Sequence, residues 1–208
     1  MHQRHTHIFR SPLNETTEEI EKLVRQAEKS LRQNSIAALN RISSTDIRPS
    51  DEAPVLLADD GRITCTWQRW GFPMTPGLEK GLVFNARCES AAEKPFFRED
   101  IRHRRAVVPA AAFYEWDREK TKYTFRKEDR KALFMAGCCR HYNDGEHFVI
   151  LTTAANSSME PIHDRMPLLL EETEVSDWLL NNNSTDELLR KIPPLLSRNT
   201  EYEQLSFF

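Results

Sequence analysis

Short apolar runs separated by turn residues make up the sequence between Pro54 and Leu170, a pattern typical of a strand-rich domain. The turn Asp59-Asp60-Gly61 follows the first run and predicts a hairpin. In the next run apolar residues alternate with polar ones, which predicts a strand with one buried face. The later runs cover residues 82–84, 106–112, 113–116, 123–126, 132–139, 148–155 and 166–170. Strands are therefore expected to dominate the middle of the chain.

Helical patterns occur near the two ends of the sequence. Apolar residues recur with helical spacing from Asn14 to Gln33. Two shorter helices are predicted from Thr173 to Leu180 and from Ser184 to Lys191, and Pro193-Pro194 ends the second one. The tail from Tyr202 to Phe208 is predicted to add an edge strand.

A chain of 208 residues is long enough for one well-cored domain. We therefore expect a single α+β domain over residues 1–208, with a strand-rich, barrel-like mixed sheet as its core and a few peripheral helices. Residues 1–12 are atypical and are expected to be poorly ordered.

Composition favours a soluble protein. The sequence is 39% hydrophobic and 29% charged, and no apolar run approaches the roughly 20 residues that a membrane span needs. Met1 to Arg10 lacks the apolar segment of a signal peptide, so we expect a cytoplasmic protein with no membrane partner.

The four cysteines form no C-x-x-C pair, which argues against a zinc ribbon. Cys138 and Cys139 are adjacent, and in a strand they would point to opposite faces, so no disulfide is expected between them. We expect the thiols to be reduced and mostly buried, as small apolar side chains. No metal and no cofactor is predicted.

Positive charge is concentrated locally although the net charge is −3. The segment from Arg98 to Arg105 holds four arginines and His103 against Glu99 and Asp100. Two interpretations are open: a groove that binds phosphates, or a solvated surface strand.

Four polar clusters interrupt the apolar runs, and this placement is the main indication of a functional site. They are 69–73 (RWGFP), 85–89 (NARCE), 113–116 (FYEW) and 163–167 (HDRMP).

Each cluster has a structural and a functional interpretation. Glu115 lies between two aromatic residues, and loss of hydration would favour its protonated form, which makes it a candidate general acid as well as a partner for a surface arginine. His163 beside Asp164 is either a core histidine or an acid–base residue with its orienting carboxylate. Asn85 taken alone is best explained as a cap, and Trp70 as a core residue.

Together the clusters resemble the signature blocks of the SOS response-associated peptidase family, the abasic-site processing proteins. The resemblance rests on 85–87, 113–116 and 163–167, and extends to 47–49, 53–55, 69–71, 93–95 and 152–156. It spans about Asp46 to Phe208. A lone His-Asp-Arg would not be specific, whereas the joint order and spacing are.

The resemblance implies a covalent reaction with abasic sites in single-stranded DNA. In this family an N-terminal cysteine, exposed once Met is removed, attacks the sugar aldehyde with its α-amine to form a Schiff base. Its thiol then closes a thiazolidine ring and leaves a DNA–protein crosslink. The family name also implies self-cleavage by a peptidase activity and a role in the SOS response to DNA damage.

By position, the resemblance assigns a role to each matching residue. Glu115 would protonate the sugar ring oxygen, Asn85 would position the attacking amine, and His163 would move protons. Trp70 would stack on bases. The cations expected to contact DNA phosphates are Arg4, Arg87, Lys94 and Arg165. The implied fold is one compact α+β domain, which we expect to act as a monomer.

The beginning of the sequence departs from the family, which starts Met-Cys-Gly-Arg. Here His2 stands in place of the cysteine, and no cysteine precedes Cys65. Three explanations are open: a wrong start, a relative that binds DNA without trapping it, or Schiff-base (lyase) chemistry by the amine of Met1. His2, His5 and His7 are better explained as a flexible start than as a metal site.

Two other classes of function are compatible with the sequence. One is a peptidase or other hydrolase with no DNA role, in which Glu115 and His163 act with Ser157 or Ser158, although neither serine sits in a nucleophile elbow. The other is a module without catalysis, which binds single-stranded DNA or serves only as an interaction domain.

Overall fold

The structure is a computed structural model, which describes the backbone of residues 8–10 and all of residues 46–74 and 81–200. It has the expected α+β class, with a strand-rich core closed like a barrel and short helices outside it. The strands are β1 (Ile8–Arg10), β2 (Asp46–Ile47), β3 (Glu52–Asp59), β4 (Arg62–Trp70), β5 (Phe72–Pro73), β6 (Leu82–Val83), β7 (Asn85–Arg87), β8 (Arg105–Ala110), β9 (Ala112–Trp116), β10 (Lys122–Arg126), β11 (Leu133–Tyr142), β12 (Gly145–Ala154), β13 (Arg165–Pro167), β14 (Leu169–Leu170) and β15 (Ser197–Thr200). The helices are α1 (Cys88–Ala91), α2 (Arg98–His103), α3 (Glu172–Leu180) and α4 (Thr185–Leu189), with a 3-10 turn at Asn182–Ser184.

The closed part of the core follows from strand pairing. Strands β12, β4, β3, β8 and β11 pair in that order, and β11 returns to pair with β12. Strands β3 and β4 form the predicted hairpin, in which Asp60 and Gly61 both have positive φ (46° and 71°). Strand β12 is antiparallel to β11 and parallel to β4, which makes the sheet mixed.

The two faces of this sheet pack against different elements, and neighbouring residues of each strand point to opposite faces. One face, which includes Val107 and Cys138, packs against the helices and contacts the core cluster that contains Trp178 of α3. The opposite face includes Val108 and Cys139 and packs against a second sheet with the order β15-β10-β9-β1-β2. The prediction that the two adjacent cysteines point apart is confirmed, and both are free thiols.

The predicted C-terminal helices are present with small shifts. Helix α3 begins at Glu172, where Glu171 and Glu174 form a capping box, and α4 ends at Leu189. The predicted helix 14–33 and edge strand 202–208 lie outside the described residues. Strand β15 pairs with β10 at the edge of the second sheet. None of the described helices is both long and apolar enough to cross a bilayer.

The arginine-rich segment is a helix, so its interpretation as a surface strand is wrong. Asp100 of α2 is fully buried and accepts hydrogen bonds from Arg104 and Arg140. Arg105 is also buried, and its guanidinium donates to the carbonyl of Trp178 and to Oδ1 of Asn182. These arginines stabilise the packing of the helices, and only the outer side of α2 presents cations to solvent.

Candidate functional site

The candidate site is centred on the C-terminal end of β12. Thr152 pairs with Arg87 of β7 on one edge of the strand and with Pro167 of β13 on the other. Two of the predicted clusters, 85–89 and 163–167, are therefore brought together across a single strand.

Asn85 and Arg87 point to one face of the sheet. Residues paired across a ladder share a face, so Asn85 lies on the side of Ile150, and Arg87 on the side of Thr152. Ile150 belongs to the core that faces the second sheet. Oδ1 of Asn85 is buried and accepts no hydrogen bond from the described residues, whereas the Arg87 side chain is exposed. An amide oxygen in that state is suited to accept a hydrogen bond from a bound reactant.

Glu115 belongs to the second sheet and is only 1% exposed. It shares a face of β9 with Phe113, two residues earlier. The Phe113 ring stacks on Phe125 at 5.1 Å and packs in the same core as Ile150. Glu115 therefore points from the second sheet towards the side of the first sheet that carries Asn85. The sequence placed this carboxylate between two aromatic residues, and in the structure it is buried on the face of β9 that packs against the first sheet.

The N-terminal strand enters beside Glu115. Strand β1 is antiparallel to β9, and Ile8 pairs with Tyr114. The first residue of β1, Ile8, therefore lies at the end of this pairing that is nearest to Glu115.

His163 is largely buried and is held by the main chain of Arg165. The Arg165 N–H donates to Nδ1 of His163 at 3.0 Å, and the Arg165 carbonyl oxygen lies 3.1 Å from the same nitrogen. Neutral His163 can accept from the N–H, and protonated His163 can donate to the carbonyl. The predicted partner, Asp164, is farther away at 3.4 Å and its side chain is mostly exposed. These two main-chain contacts accommodate both protonation states of His163, as a group that moves protons requires.

Arg165 is engaged within the protein. Its guanidinium makes two hydrogen bonds to the carboxylate of Glu89, at 2.5 and 2.9 Å, and a third to the carbonyl of Thr152 at 2.5 Å. Its Nε is buried and donates to no described residue. The role of Arg165 as a phosphate contact stays a prediction. Glu89 belongs to the cluster 85–89, but the sequence pattern gives no sign of its pairing with Arg165, which only the fold reveals.

The complete burial of Trp70 contradicts the expectation that its ring stacks on DNA bases. Its side chain is 0% exposed, its Nε1 donates to the carbonyl of Phe84 at 2.9 Å, and its ring packs parallel to Phe148. With both faces covered, the indole has no surface to offer to a base. The alternative interpretation of Trp70 as a core residue is confirmed.

The remaining predicted contacts differ in accessibility. Lys94 is exposed in the turn between α1 and α2, where its carbonyl accepts from Arg98 N–H. Arg4 lies outside the described residues, as do His2, His5 and His7. In residues 46–74 and 81–200, no group of three histidine, cysteine, aspartate or glutamate side chains could hold a metal ion.

The cysteines and serines near the site are not arranged as nucleophiles. Burial raises the pKa of Cys88 and of Cys139 to about 12, which keeps both thiols protonated. The Ser158 hydroxyl donates to Oδ1 of Asn156 at 2.6 Å and accepts from Leu196 N–H. Ser158 thus supports the local loop.

The comparisons with known proteins agree with this geometry. A family model described as SOS response associated peptidase matches residues 9–206. The chain belongs to this family. The resemblance inferred from the sequence blocks of the chain is therefore confirmed.

Relatives in the SOS response associated peptidase family include proteins named for abasic site processing. YoqW of Bacillus subtilis, an abasic site processing protein, is 34% identical over 161 residues, which are 72% of this chain and 72% of the relative. YedK of Escherichia coli, with the same description, is 29% identical over 154 residues, 70% of this chain and 68% of the relative. The Xenopus tropicalis protein HMCES is 28% identical over 201 residues, 76% of this chain and 59% of the relative.

Solved structures share the fold. A Bacteroides thetaiotaomicron protein has a TM-score of 0.71 at 24% identity, covering 93% of this chain and 90% of that one. A Bordetella bronchiseptica protein has a TM-score of 0.71 at 21% identity, covering 94% and 98%.

Proposed function

We propose that this protein processes abasic sites in DNA and that it binds them in single strands as a monomer. The observation that carries the proposal is that the segments bearing Asn85 and His163 flank the end of β12, while the second sheet carries a buried carboxylate, Glu115. Membership of the family and the names of its relatives support the same conclusion.

The proposed chemistry begins with the opening of the abasic sugar to its aldehyde. Glu115 gives a proton to the ring oxygen, and a neutral amine adds to the aldehyde carbon. The amide oxygen of Asn85 accepts a hydrogen bond from that amine and fixes its direction of attack. The carbinolamine then loses water, with His163 supplying the proton to the leaving hydroxyl, and an imine results.

The amine that we propose is the α-amine at the end of the chain that leads into β1. In a protein of the printed 208 residues no cysteine precedes Cys65, so the residue that bears this amine has no thiol and the reaction stops at the imine. For a protein with that start we propose reversible Schiff-base or lyase chemistry rather than a thiazolidine crosslink. Self-cleavage is not needed for this reaction.

DNA would be held by exposed cations beside the site. Arg87 points to the same side of the sheet as Asn85. Lys94, seven residues after Arg87, is exposed in the turn that follows α1. Because the net charge of the chain is −3, binding depends on these local contacts and not on a general positive field. Release of counterions from phosphates makes such binding sensitive to salt.

Fluorescence anisotropy with labelled oligonucleotides tests the proposal. The panel consists of a single strand, the same strand with one abasic site, and the duplex, each titrated at low and at physiological salt. We expect the abasic single strand to bind most tightly and its affinity to fall with salt. Absence of binding, or binding that salt does not change, contradicts the proposal. Sedimentation of the same samples checks that one protein molecule binds.

A further inference from the structure

We propose that Glu89 is a positioning residue, which holds His163 in place through Arg165. The proposal rests on the proposed function in one respect, since that function assigns His163 the transfer of a proton. The ion pair joins two segments that are 76 residues apart in the sequence, one carrying Asn85 and the other carrying His163.

The geometry of the pair is that of a clamp. Both oxygens of Glu89 accept from Arg165, and the guanidinium also donates to the carbonyl of Thr152. Arg165 of β13 pairs with Ala154 of the neighbouring strand β12. Its side chain extends past the Thr152 carbonyl of β12 to Glu89 of α1. The Arg165 side chain is 18% exposed and that of Glu89 is 52% exposed. A planar guanidinium fixed at two separate acceptors has little rotational freedom left.

The clamp acts on His163 through the main chain. The Arg165 N–H that donates to Nδ1 of His163 belongs to the same residue whose side chain is fixed by Glu89. When Nδ1 accepts this hydrogen bond, the proton of the neutral ring is on Nε2. Nε2 is therefore the nitrogen that exchanges a proton with the reactant.

The charge of Glu89 is suited to this task. The hydrogen bonds from Arg165 hold the pKa of Glu89 below its ordinary value. The carboxylate is thus ionised across the neutral range, and its ion pair with Arg165 is kept there.

Nitrogen-15 NMR of the His163 ring in the full chain, combined with reaction rates, tests the proposal. The variants are Glu89→Ala, Glu89→Gln and Arg165→Lys, with Glu93→Ala as the matched control, since Glu93 is an exposed carboxylate of the same segment. In the wild type we expect the Nε2–H tautomer. In Glu89→Ala we expect a mixture of tautomers and a rate of borohydride-trapped adduct lower by roughly 10- to 100-fold, because misplacing a catalytic group by about 1 Å costs on that order.

The other variants separate positioning from a general effect. Glu89→Gln keeps the shape and one acceptor, so an intermediate rate is expected. Arg165→Lys keeps the charge but not the paired hydrogen bonds, so it should resemble Glu89→Ala. Glu93→Ala should behave as the wild type. If Glu89→Ala does not fold, Glu89→Gln decides the question.

Two outcomes overturn the proposal. One is an unchanged His163 tautomer in Glu89→Ala and Glu89→Gln. The other is a rate of borohydride-trapped adduct in both variants equal to that of the wild type, since the action of His163 would then not depend on Glu89. If the wild type has no reaction with DNA, the proposed function fails, but the tautomer still reports on the clamp.

Discussion

Glu115 and Phe113 point to the same side of β9, and neither is accessible to solvent. The phenylalanine needs that position for packing, whereas a carboxylate there costs free energy unless other groups compensate. A buried carboxylate on this face of β9, which packs in the core shared with Ile150 of β12, is thus a feature that apolar packing does not explain. Its location supports the choice of Glu115 as the proton donor.

The first prediction concerns this carboxylate. Glu115→Gln should lower the rate of adduct formation by about 100-fold or more, since positioned acid–base groups contribute about 10²–10⁴-fold. Its free energy of unfolding should change by less than about 1 kcal/mol, because the amide keeps the shape and buries no charge. Time courses of borohydride trapping and urea unfolding measure the two quantities.

Glu119→Gln is the control, since Glu119 lies exposed in the turn between β9 and β10. It should leave the rate within about twofold of the wild type, as surface changes usually have small effects. A Glu115→Gln protein with full rate would exclude Glu115 as the acid.

The second prediction concerns Arg87. Arg87→Ala should weaken binding to single strands and reduce the slope of log affinity against log salt by about 0.7, the value for one phosphate contact. Arg62→Ala is the matched control, because Arg62 is exposed at the opposite end of β4 from Trp70. Titrations at four salt concentrations give the slopes. Equal slopes for the two variants would remove Arg87 from the DNA interface.

The third prediction concerns Trp70. Trp70→Ala should lower the free energy of unfolding by about 3–5 kcal/mol, as expected when a fully buried aromatic side chain is removed. Trp70→Phe should cost less because most of the ring volume remains. For both variants the DNA affinity per folded molecule should match the wild type. A stable variant with weak binding would instead restore Trp70 as a base contact.

Local patterns in the sequence predicted much of the fold. The hairpin at Asp60-Gly61 needs only a two-residue turn with positive φ, and the alternation at Cys138 and Cys139 needs only a strand. Helix α2 could not be predicted this way. Its buried Asp100 depends on Arg140, 40 residues later, and such a partner leaves no local trace.

The site was predicted only in part for the same reason. The blocks that contain Asn85, Glu115 and His163 were evident from polar residues within apolar runs. The pairing of Glu89 with Arg165 depends on β7 and β13 lying on opposite edges of β12, which no short pattern encodes. The burial of Trp70 likewise follows from its neighbour Phe148 on β12.

The fourth prediction concerns the cysteines. Native protein at pH 8 should react with iodoacetamide only at Cys65, which is partly exposed, while Cys88, Cys138 and Cys139 stay unmodified. The thiolate reacts, and burial raises the pKa of Cys88 from 9.0 to about 12, so little thiolate forms. Mass spectrometry locates the label, and protein unfolded in urea should be labelled at all four positions.

The raised pKa values of Cys88 and Cys139 also determine how the stability of the protein changes with pH. The folded state favours the neutral thiols, so their contribution to stability is intact below pH 9 and is lost as the pH rises towards 12. Urea unfolding at pH 8 and at pH 10.5 should show this decrease. Fast labelling of Cys88 in the native protein would contradict both expectations.

The last prediction concerns the N-terminal thiol that the resemblance to the family implies. A thiazolidine requires an amine and a thiol on one residue, and the second residue of the printed chain is His2. Cys65, Cys88, Cys138 and Cys139 carry no free α-amine and cannot replace it. A protein of the printed 208 residues should therefore give no denaturant-resistant adduct with an abasic oligonucleotide.

Borohydride distinguishes this failure from a lack of any reaction. An ordinary α-amine is roughly one-tenth to one-fifth neutral at pH 7, enough to form an imine that borohydride reduces to a stable bond. We expect an adduct with borohydride and none without it. His2→Cys with Gln3→Gly, after removal of Met1, should form an adduct without borohydride, since amine and thiol are then on one residue. A stable adduct from the unaltered chain without borohydride would mean that another group closes the ring, and the assignment of the amine would have to be abandoned.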